Sequence, residues 1–398
     1  MDAVELKDRM NARIDELADV LLEVSHDIHA HPELMFEEHH AHDLLTSVLE
    51  REGLAVTRSA YGLDTAFDAR AGSRGPTVAI CCEYDALPSV GHACGHNVIA
   101  AAGLGAGLAA AALAEAAGGQ VRVLGTPAEE GGAGKVLMAD EGAFAGVDAA
   151  MMVHPAGADL LRMDVIASTF LEVRYHGQAA HAAAFPHKGR NALDAAVLGY
   201  VNVAALRQHI RPTDRVHGVF TRGGDRPNVV PDLTEMEWMV RSARLAGLGP
   251  LKERVVACLR AGAVAAGCEF EHRFTGRDYA DMVDNPVLLR LYAANAEATG
   301  RTPLDPGISH TPVVGSTDMG NISYEVPSIH PMIAVAPSHV SIHSHEFTGY
   351  ARADVGDKAV LDGARAMAMT VADLWSDPAL VEEVRASFAP PTNLPEHQ

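Results

Sequence analysis

The sequence reads Gly91-His92-Ala93-Cys94-Gly95-His96-Asn97 directly before a long run of small residues, and the predicted fold is built around this stretch. A thiolate and an imidazole two residues apart can bind one divalent cation, and Gly95 allows the backbone to bend between them. The alternative is a loop with incidental histidines, since the chain contains 21 of them. What favours metal binding is the set of acidic and imidazole groups at the ends of later apolar segments.

The run that follows, Val98–Ala117, is almost uncharged and long enough to be mistaken for a membrane span. Its apolar residues are mostly Ala and Gly, however, whereas membrane helices are richer in Leu, Ile, Val and Phe. A tightly packed, buried helix is therefore predicted. Its N-terminus falls at Cys94–Asn97, where the free N–H groups of a helix favour a thiolate or another anion.

Composition and charge limit the class of protein. A chain of 398 residues can bury at least one large core and is expected to contain two domains. The formal net charge of −21 argues against nucleic acid or an anionic membrane as a partner. Five cysteines without a disulfide-like spacing indicate a reducing compartment, and the charged N-terminus lacks a signal-peptide core. A cytoplasmic location is the expectation.

Three predicted strands share one feature, which is that acidic residues or a histidine follow each of them. Thr77–Cys82 precedes Glu83 and Asp85, Gln120–Gly125 precedes Glu129 and Glu130, and Ala149–Val153 precedes His154. Open α/β sheets place their sites at the carboxyl ends of strands. We therefore expect these side chains to converge, although adjacent glutamates are more usually a solvated turn.

A change of pattern near Ser168 predicts a second domain over residues 168–277. Its elements follow the β-α-β-β-α-β order of ferredoxin-like domains: Thr169–His176, Asn191–Gln208, Arg215–Thr221, Leu233–Arg241, Leu251–Ala266 and Glu269–Phe274. Residues 1–167 and 278–398 are accordingly assigned to one discontinuous α/β domain that carries the metal-ligand candidates. The Pro-rich tail from Ala389 is expected to be disordered.

Several motifs stand along the chain in the order of a known group: Tyr84-Asp85-Ala86-Leu87-Pro88, His92–His96, Pro127–Gly131, His154, Ala179–Ala182 and His343-Ser344. Together they resemble the amidohydrolase branch of the aminoacylase/carboxypeptidase superfamily of dinuclear metallohydrolases, which includes hippurate and auxin-conjugate hydrolases. Gly315–Asn321 and Pro327–Pro331 are most similar to its aminobenzoyl-glutamate hydrolase and β-alanyl-lysine dipeptidase members. The resemblance implies a catalytic domain with a central mixed sheet flanked by helices, plus an inserted ferredoxin-like α+β lid and dimerisation domain.

The resemblance also implies two divalent metal ions per subunit. Cys94 takes the bridging position between them, and the other implied ligands are His96, Glu130, His154 and His343. This set of sulfur, nitrogen and oxygen donors suits Zn²⁺ or Mn²⁺, and Ni²⁺ and Co²⁺ are also compatible with it.

Two ligand assignments stay open on the sequence. His339 and His345 compete with His343 for the last position, because His345 stands where Pro usually follows His-Ser in the family. His343 is preferred, since its Ser-x-x-Phe context keeps the family spacing. His92 likewise competes with His96, and a hydrogen-bonded loop residue is its alternative role.

Catalytic and substrate-binding roles follow from the same resemblance. Glu129 is implied as the general base acting on a metal-bound water, and Asp85 as the residue that orients a ligand imidazole such as His96. His181, in the inserted domain, is implied to donate to the oxyanion of the tetrahedral intermediate. In relatives this histidine comes from the partner subunit, which implies a homodimer through the inserted domain. Asn228 matches a substrate-binding asparagine of the family.

The sequence therefore favours a metal-dependent amidohydrolase or peptidase acting on an N-acyl or N-aroyl amino acid or a dipeptide-like substrate. A free carboxylate on the leaving amino acid is expected, with Arg226, Asn228 and Arg241 as candidate anchors. A surface role on its strand is the alternative for Arg241. Three other functions stay open: Cys94 as an activated nucleophile, a metal-dependent deaminase of an aryl amine on the same fold, and a non-catalytic metal-binding homologue.

Overall fold

A computed structural model describes residues 1–305 and 314–389 of the chain. The described residues form two compact units, one comprising Met1–Asp164 together with the residues from Met282 onward, and the other Val165–Asp281. The tail that the sequence predicts to be disordered lies, from residue 390 on, outside the described residues.

The elements alternate between helices and short strands for most of the chain. The helices are α1 (Ala3–Ala30), α2 (His39–Arg51), α3 (His96–Ala111), α4 (Ala114–Ala117), α5 (Gly134–Asp140), α6 (Ala192–Leu206), α7 (Leu245–Ala266), α8 (Pro286–Ala298), α9 (Met319–Ile322), α10 (His345–Tyr350), α11 (Asp354–Ser376) and α12 (Pro378–Ala386). The strands are β1 (Ala55–Arg58), β2 (Phe67–Ala71), β3 (Thr77–Cys82), β4 (Gln120–Gly125), β5 (Ala149–Met151), β6 (His154–Ala156), β7 (Asp164–Val165), β8 (Ala167–His176), β9 (Arg215–Arg222), β10 (Leu233–Ser242), β11 (Glu269–Tyr279), β12 (Val314–Gly315), β13 (Ser328–Ile329) and β14 (Met332–Ala334).

The first unit contains a mixed six-stranded sheet in the order β1-β2-β4-β3-β5-β13. Strands β3, β4, β5 and β13 pair in parallel, while β1 and β2 form an antiparallel edge. Apart from Thr77 at its start, β3 is buried along its whole length, as a parallel strand covered on both faces must be. Because neighbouring parallel strands end at the same edge, the residues that follow β3, β4 and β5 can converge on one site.

Helix α3 packs against β3 and β4 and against helices α1 and α11. All of its residues are buried except Ala111, and three glycines allow its neighbours to come close. A Cβ on Gly107 would lie 2.2 Å from Val123 of β4, and one on Gly105 would lie 2.7 Å from Leu21 of α1. No helix among residues 1–305 and 314–389 is long and apolar enough to cross a membrane. The glycines of the run thus serve close packing.

Several sequence predictions of secondary structure were wrong in their bounds, including Glu269–Phe274, a strand that continues to Tyr279. The predicted helix begins at His96, within the predicted N-terminal segment Cys94–Asn97. It divides into α3 and α4 at Ala112-Leu113, where no helix-breaking residue stands, so packing rather than propensity sets the break. The predicted strand Ala149–Val153 stops at Met151, and His154 begins β6, which pairs with β14 in a separate sheet. Helix α7 begins before Pro250, which it accommodates inside the helix near its N-terminal end.

The second unit has a four-stranded antiparallel sheet in the order β11-β8-β10-β9, with α6 and α7 packed on it. Along the chain the order is β8-α6-β9-β10-α7-β11, a β-α-β-β-α-β unit. Alternate residues of β10, including Met236, Trp238 and Val240, are buried, as expected of a sheet covered on one face.

Candidate metal centre

The site in the first unit is assembled from the ends of three strands and the loop before α3. Asp85 follows β3, the Glu129-Glu130 pair follows β4, and His154 begins β6, which is separated from β5 by two residues. Cys94 lies in the loop that leads into α3, and His96 is the first residue of that helix. The convergence expected from the strand ends is thus present in the fold.

Two residues with positive φ shape the loops that carry these groups. Gly95 has a φ of 78°, and a Cβ there would lie 2.8 Å from the ring of Pro155, so both conformation and space call for glycine. Ala128 has a φ of 59°, unusual for a residue with a Cβ, and its N–H donates to Glu38 Oε1 at 2.8 Å. Glu38 therefore fixes the backbone next to Glu129.

The first ligand group consists of Cys94, His96 and His154, whose donor atoms all lie within 4.8 Å of one another. Cys94 Sγ is 3.4 Å from His154 Nε2. His154 Nδ1 is 2.8 Å from the carbonyl oxygen of Pro155, so Nδ1 carries the proton and Nε2 is left as a donor atom for a metal. All three residues are buried.

The second ligand group consists of Cys94, Glu130 and His343. His343 Nε2 lies 3.3 Å from Glu130 Oε1. The backbone N–H of His343 donates to the carbonyl oxygen of Ala93 at 2.8 Å, which ties the segment before α10 to the residue before Cys94. His343 has a φ of 64°, so this tie is made from a left-handed backbone conformation.

These groups fit two divalent ions that share Cys94. Two ligand atoms bound to one tetrahedral ion at about 2.0–2.3 Å lie about 3.3–3.8 Å apart, the range in which the Cys94–His154 and Glu130–His343 separations fall. His96 Nε2 and Glu130 Oε1 are buried and have no hydrogen-bond partner, which a cation would provide. The thiolate, imidazole and carboxylate donors are those of borderline transition metals.

Asp85 connects the two groups. Its Oδ1 lies 3.0 Å from His96 Nδ1, and its Oδ2 accepts the backbone N–H of Glu130 at 2.9 Å. A carboxylate on the far nitrogen of a ligand histidine fixes the tautomer and orientation of the ring, leaving Nε2 free to bind a metal. Asp85 is fully buried, and His96 outweighs the effect of burial, so that the pKa of Asp85 is lowered and the carboxylate stays charged.

Burial raises the pKa of Glu129 well above its usual value, and the negative charges of the nearby Glu83 and Glu130 carboxylates raise it further. The pKa of Glu130 is instead lowered, because the neighbouring imidazoles of His343 and His96 outweigh burial. Two adjacent glutamates therefore have opposite proton affinities. This is the arrangement expected when one carboxylate binds a cation and its neighbour exchanges a proton.

Burial raises the pKa of the Cys94 thiol well above its usual value, and the charge of Glu130 adds to this effect. The helix end at His96 is therefore not sufficient to keep a free thiolate there. A thiol among carboxylates is a weak nucleophile, whereas a bound cation deprotonates it. The surroundings of Cys94 favour its interpretation as a metal ligand over the nucleophile hypothesis.

The competing histidines have other surroundings. Neither His339 nor His345 belongs to a candidate metal group within residues 1–305 and 314–389. Both are exposed, and His345 begins α10. His92 is buried without a hydrogen bond to its ring nitrogens, and burial followed by the charge of His96 lowers its pKa to about 3. It belongs to no candidate metal group of the described part of the chain.

The remaining predicted site residues, His181, Asn228 and Arg241, belong to the second unit. The ring of His181 is exposed, and its Nδ1 accepts the backbone N–H groups of Ala183 and Ala184 at 3.3 and 3.1 Å. Its Nε2 therefore carries the proton and can donate. Asn228 is exposed, and its backbone carbonyl oxygen accepts the backbone N–H of Ala182 at 3.0 Å. The two segments lie side by side within this unit.

Arg241 lies on β10 and is half-buried. Burial lowers the pKa of its guanidinium. Arg241 thus lies on an inner strand of the sheet, between β8 and β9. His181 and Asn228 instead lie in exposed connecting segments of the same unit. The role of Arg241 as a substrate anchor stays a prediction.

Sequence reasoning missed a buried ion network beside the site. Lys135, at the start of α5, is fully buried and contacts the carboxylates of Glu83 and Asp318. Burial alone would lower the pKa of Lys135, but Asp318, Glu83 and Glu129 together raise it well above its usual value, so the side chain stays charged. A single lysine in a glycine-rich loop gives no sequence signal of such a contact, because its partners are distant along the chain.

The chain is similar to a group of known proteins. Residues 79–372 match the model of peptidase family M20/M25/M40. A protein from Mus musculus named Xaa-Arg dipeptidase is 40% identical over 397 residues, covering 96% of this chain and 92% of the mouse protein. One of the subunits of the p-aminobenzoyl-glutamate hydrolase of Escherichia coli (strain K12) is 29% identical, covering 91% of this chain and 90% of its own length.

Among solved structures, the fold is similar to that of the Bacillus subtilis YXEP protein, described as a dinuclear metal-binding peptidase of the M20 family. The TM-score is 0.66 at 21% sequence identity, and the match covers 90% of this chain and 98% of that one. At this identity the likeness concerns the fold.

Proposed function

The chain belongs to peptidase family M20/M25/M40 and is a hydrolase of amide bonds, and on this premise we propose that it is a metal-dependent enzyme that cleaves dipeptides or N-acyl amino acids. One observation carries the proposal. Two ligand groups share Cys94, and a buried glutamate of raised pKa, Glu129, stands directly beside a ligand candidate of lowered pKa, Glu130.

We assign the metal ligands to Cys94, His96, Glu130, His154 and His343, of which Cys94 is common to the two candidate ligand groups. When bound, the two ions would lower the pKa of a water molecule and polarise the substrate carbonyl, as divalent ions do in hydrolases. The donor set suits Zn²⁺ or Mn²⁺, and Ni²⁺ or Co²⁺ also fit it.

The residues of the chain divide the remaining work. Glu129 accepts the proton of the attacking water and delivers it to the leaving amine, for which a buried carboxylate of raised pKa is suited. Asp85 holds His96 through Nδ1 and holds the backbone of Glu130, so it positions both ligand groups at once. Cys94, His96, Glu129 and His154 are buried, which strengthens the electrostatic interactions among them.

We further propose that His181 of the partner subunit donates through Nε2 to the oxyanion of the tetrahedral intermediate. The hydrogen bonds that Nδ1 accepts leave Nε2 protonated and exposed, as this role needs. A donor supplied by a second subunit requires a homodimer.

The second unit, at 168–277 in the sequence assignment, is proposed as the dimerisation and lid domain. Strand β9 lies at the edge of its sheet and exposes Val219 and Phe220. Helix α6 exposes Val197, Leu198 and Val201. An apolar edge strand and an apolar helix face on one unit are features of a surface covered by another chain.

The substrate is proposed to have the form acyl–NH–CHR–COO⁻. Asn228, in the exposed segment beside His181, and Arg241 are the proposed anchors of its carboxylate. The name of the mouse relative extends the acyl group to an aminoacyl residue, so dipeptides with a free carboxylate belong in this class.

We place this enzyme in the cytoplasm. All five cysteines are free thiols, and Cys81, Cys82 and Cys94 are buried. Free thiols persist most readily in a reducing compartment.

Metal dependence and the substrate class are tested together. Purified protein is expected to hold close to two ions per subunit, and activity lost to a chelator should return with Mn²⁺ or Zn²⁺. A panel then compares Xaa-Arg and β-alanyl dipeptides with N-acetyl, N-benzoyl, p-aminobenzoyl and indoleacetyl amino acids, each also as its methyl ester. Masking the carboxylate should lower kcat/KM at least tenfold, about 1.4 kcal/mol, because a charge-assisted contact is lost.

Full activity in metal-free protein would contradict the proposed function. A change in kcat/KM below about threefold on masking, less than about 1 kcal/mol, would leave the metal chemistry standing but remove the carboxylate from the specificity model.

A further inference from the structure

Three fully buried charged residues lie beside the metal-ligand groups and have no part in the roles assigned above. Lys135 Nζ donates to Glu83 Oε1 at 2.5 Å and to Asp318 Oδ1 at 2.8 Å. The backbone N–H of Lys135 also donates to Asp318 Oδ2, at 2.9 Å. Burying an ammonium and two carboxylates costs free energy that their mutual attraction only partly recovers. A functional reason for this network is therefore to be expected.

The network leaves one of its oxygens unused. Glu83 Oε2 is buried and has no hydrogen-bond partner. It faces His96 Nε2 at 3.5 Å, and this nitrogen is also buried without a partner. Two buried polar atoms that face each other without a hydrogen bond are rare in a folded protein and indicate a group that belongs between them.

The separation of these atoms lies in the range expected for two ligands of one cation. Cys94 Sγ and His154 Nε2, proposed ligands of one ion with His96, are 3.4 Å apart, and Glu83 Oε2 and His96 Nε2 are 3.5 Å apart. Both values lie in the range of about 3.3–3.8 Å for two ligands of one tetrahedral ion. Glu83 and His96 also belong, with Glu129, to a group whose donor atoms lie within 4.8 Å of one another.

We propose that Glu83 is a further metal ligand, binding through Oε2 the ion that Cys94, His96 and His154 hold, and that Lys135 is the positioning residue that directs this oxygen. The proposal rests on the proposed function and adds a sixth ligand residue to it. Lys135 occupies Oε1 of Glu83, so the carboxylate binds the ion through one oxygen only. Asp318, through two contacts to Lys135, fixes the ammonium in turn.

The test compares metal binding by wild type and variants prepared metal-free and then titrated with Co²⁺ and Zn²⁺ against a chromophoric chelator. Glu83→Gln should weaken one of two ions by more than the ~10–100-fold typical of losing an orienting residue, and leave the other unchanged. Lys135→Met should weaken the same ion by ~10–100-fold. His343→Ala should weaken the other ion instead. The control is Glu141→Gln, the same substitution at an exposed site of the same unit.

The Co²⁺ absorption spectrum gives a second readout, because its visible bands respond to the number and type of ligands. Glu83→Gln and Lys135→Met should change the bands of one ion alone. Glu83→Asp serves if the glutamine variant does not fold, since it keeps the charge beside Lys135 and withdraws the carboxylate from the ion. Two ions bound by Glu83→Gln with wild-type affinities and an unchanged spectrum would overturn the proposal. Wild-type protein that binds no metal would instead overturn the proposed function itself.

Discussion

Glu38→Gln should remove a pH-dependent loss of stability from this protein. Glu38 is fully buried at the start of α2, where its Oε2 accepts the hydroxyl of Thr65 at 2.8 Å and its Oε1 accepts the N–H of Ala128 at 2.8 Å. Burial, and then the charge of Asp85, raises the pKa of Glu38 from 4.5 to about 7.

The magnitude follows from the two pKa values. The folded pKa of about 7 exceeds the unfolded value of 4.5, so between these pH values the folded protein binds more protons than the unfolded chain. The free energy of unfolding therefore falls as the pH rises through this window. At about 1.36 kcal/mol per pKa unit, the loss from Glu38 reaches about 3 kcal/mol above pH 7 and is absent below about pH 4.5.

Glutamine is neutral at every pH in this range and can still accept the N–H of Ala128 through its amide oxygen. The free energy of unfolding, measured by guanidinium chloride titration from pH 4.5 to 8, should therefore fall less steeply for Glu38→Gln than for wild type. The difference between the two proteins should grow by about 3 kcal/mol across the window. The exposed control Glu141→Gln should follow wild type. A wild-type-to-variant difference that stays constant from pH 4.5 to 8 would refute the raised pKa and the reasoning from it.

Three further predictions concern the proposed mechanism and the fold. Glu129→Gln should keep both metal ions and lose turnover by ~10²-fold or more, whereas Glu130→Gln should lose metal. Steady-state kinetics and metal analysis of the two variants test this, and an exchange of the two phenotypes would show that the roles are reversed. His181→Ala and Glu129→Gln proteins, each nearly inactive, should recover about a quarter of wild-type activity after subunit exchange at equal concentrations, since half the dimers then hold one intact site; a monomer by light scattering would contradict this. Gly107→Ala should destabilise the protein by about 1–3 kcal/mol in denaturant titrations, because a Cβ there lies 2.2 Å from the branched side chain of Val123; unchanged stability would show that α3 can shift.

Much of the fold followed from the sequence because local patterns were strong. Strands Thr77–Cys82 and Gln120–Gly125 have the predicted bounds, since each is a short apolar run between turn residues. The mixed α/β fold and the family are confirmed. The break between α3 and α4 was missed, because Ala112-Leu113 carries no local signal and packing decides it.

The sequence by itself determined which residue types reach the candidate site. A carboxylate or imidazole that follows a buried parallel strand lies at the carboxyl edge of the sheet, where such folds place their sites. The positions of Asp85, Glu129 and Glu130 along the chain therefore predicted that they converge. The spacing of Cys94 and His96 was equally local. Such features depend on neighbours in sequence, and they can be read without coordinates.

Only the tertiary structure decided how these groups divide their roles. Opposite pKa shifts at Glu129 and Glu130 arise from burial and from charges brought by other segments, and adjacency in sequence says nothing of them. Lys135 finds Glu83 across 52 positions and Asp318 across 183, contacts that no local pattern encodes. Burial makes such charges strongly dependent on their partners, and the partners are set by the packing of distant strands and loops.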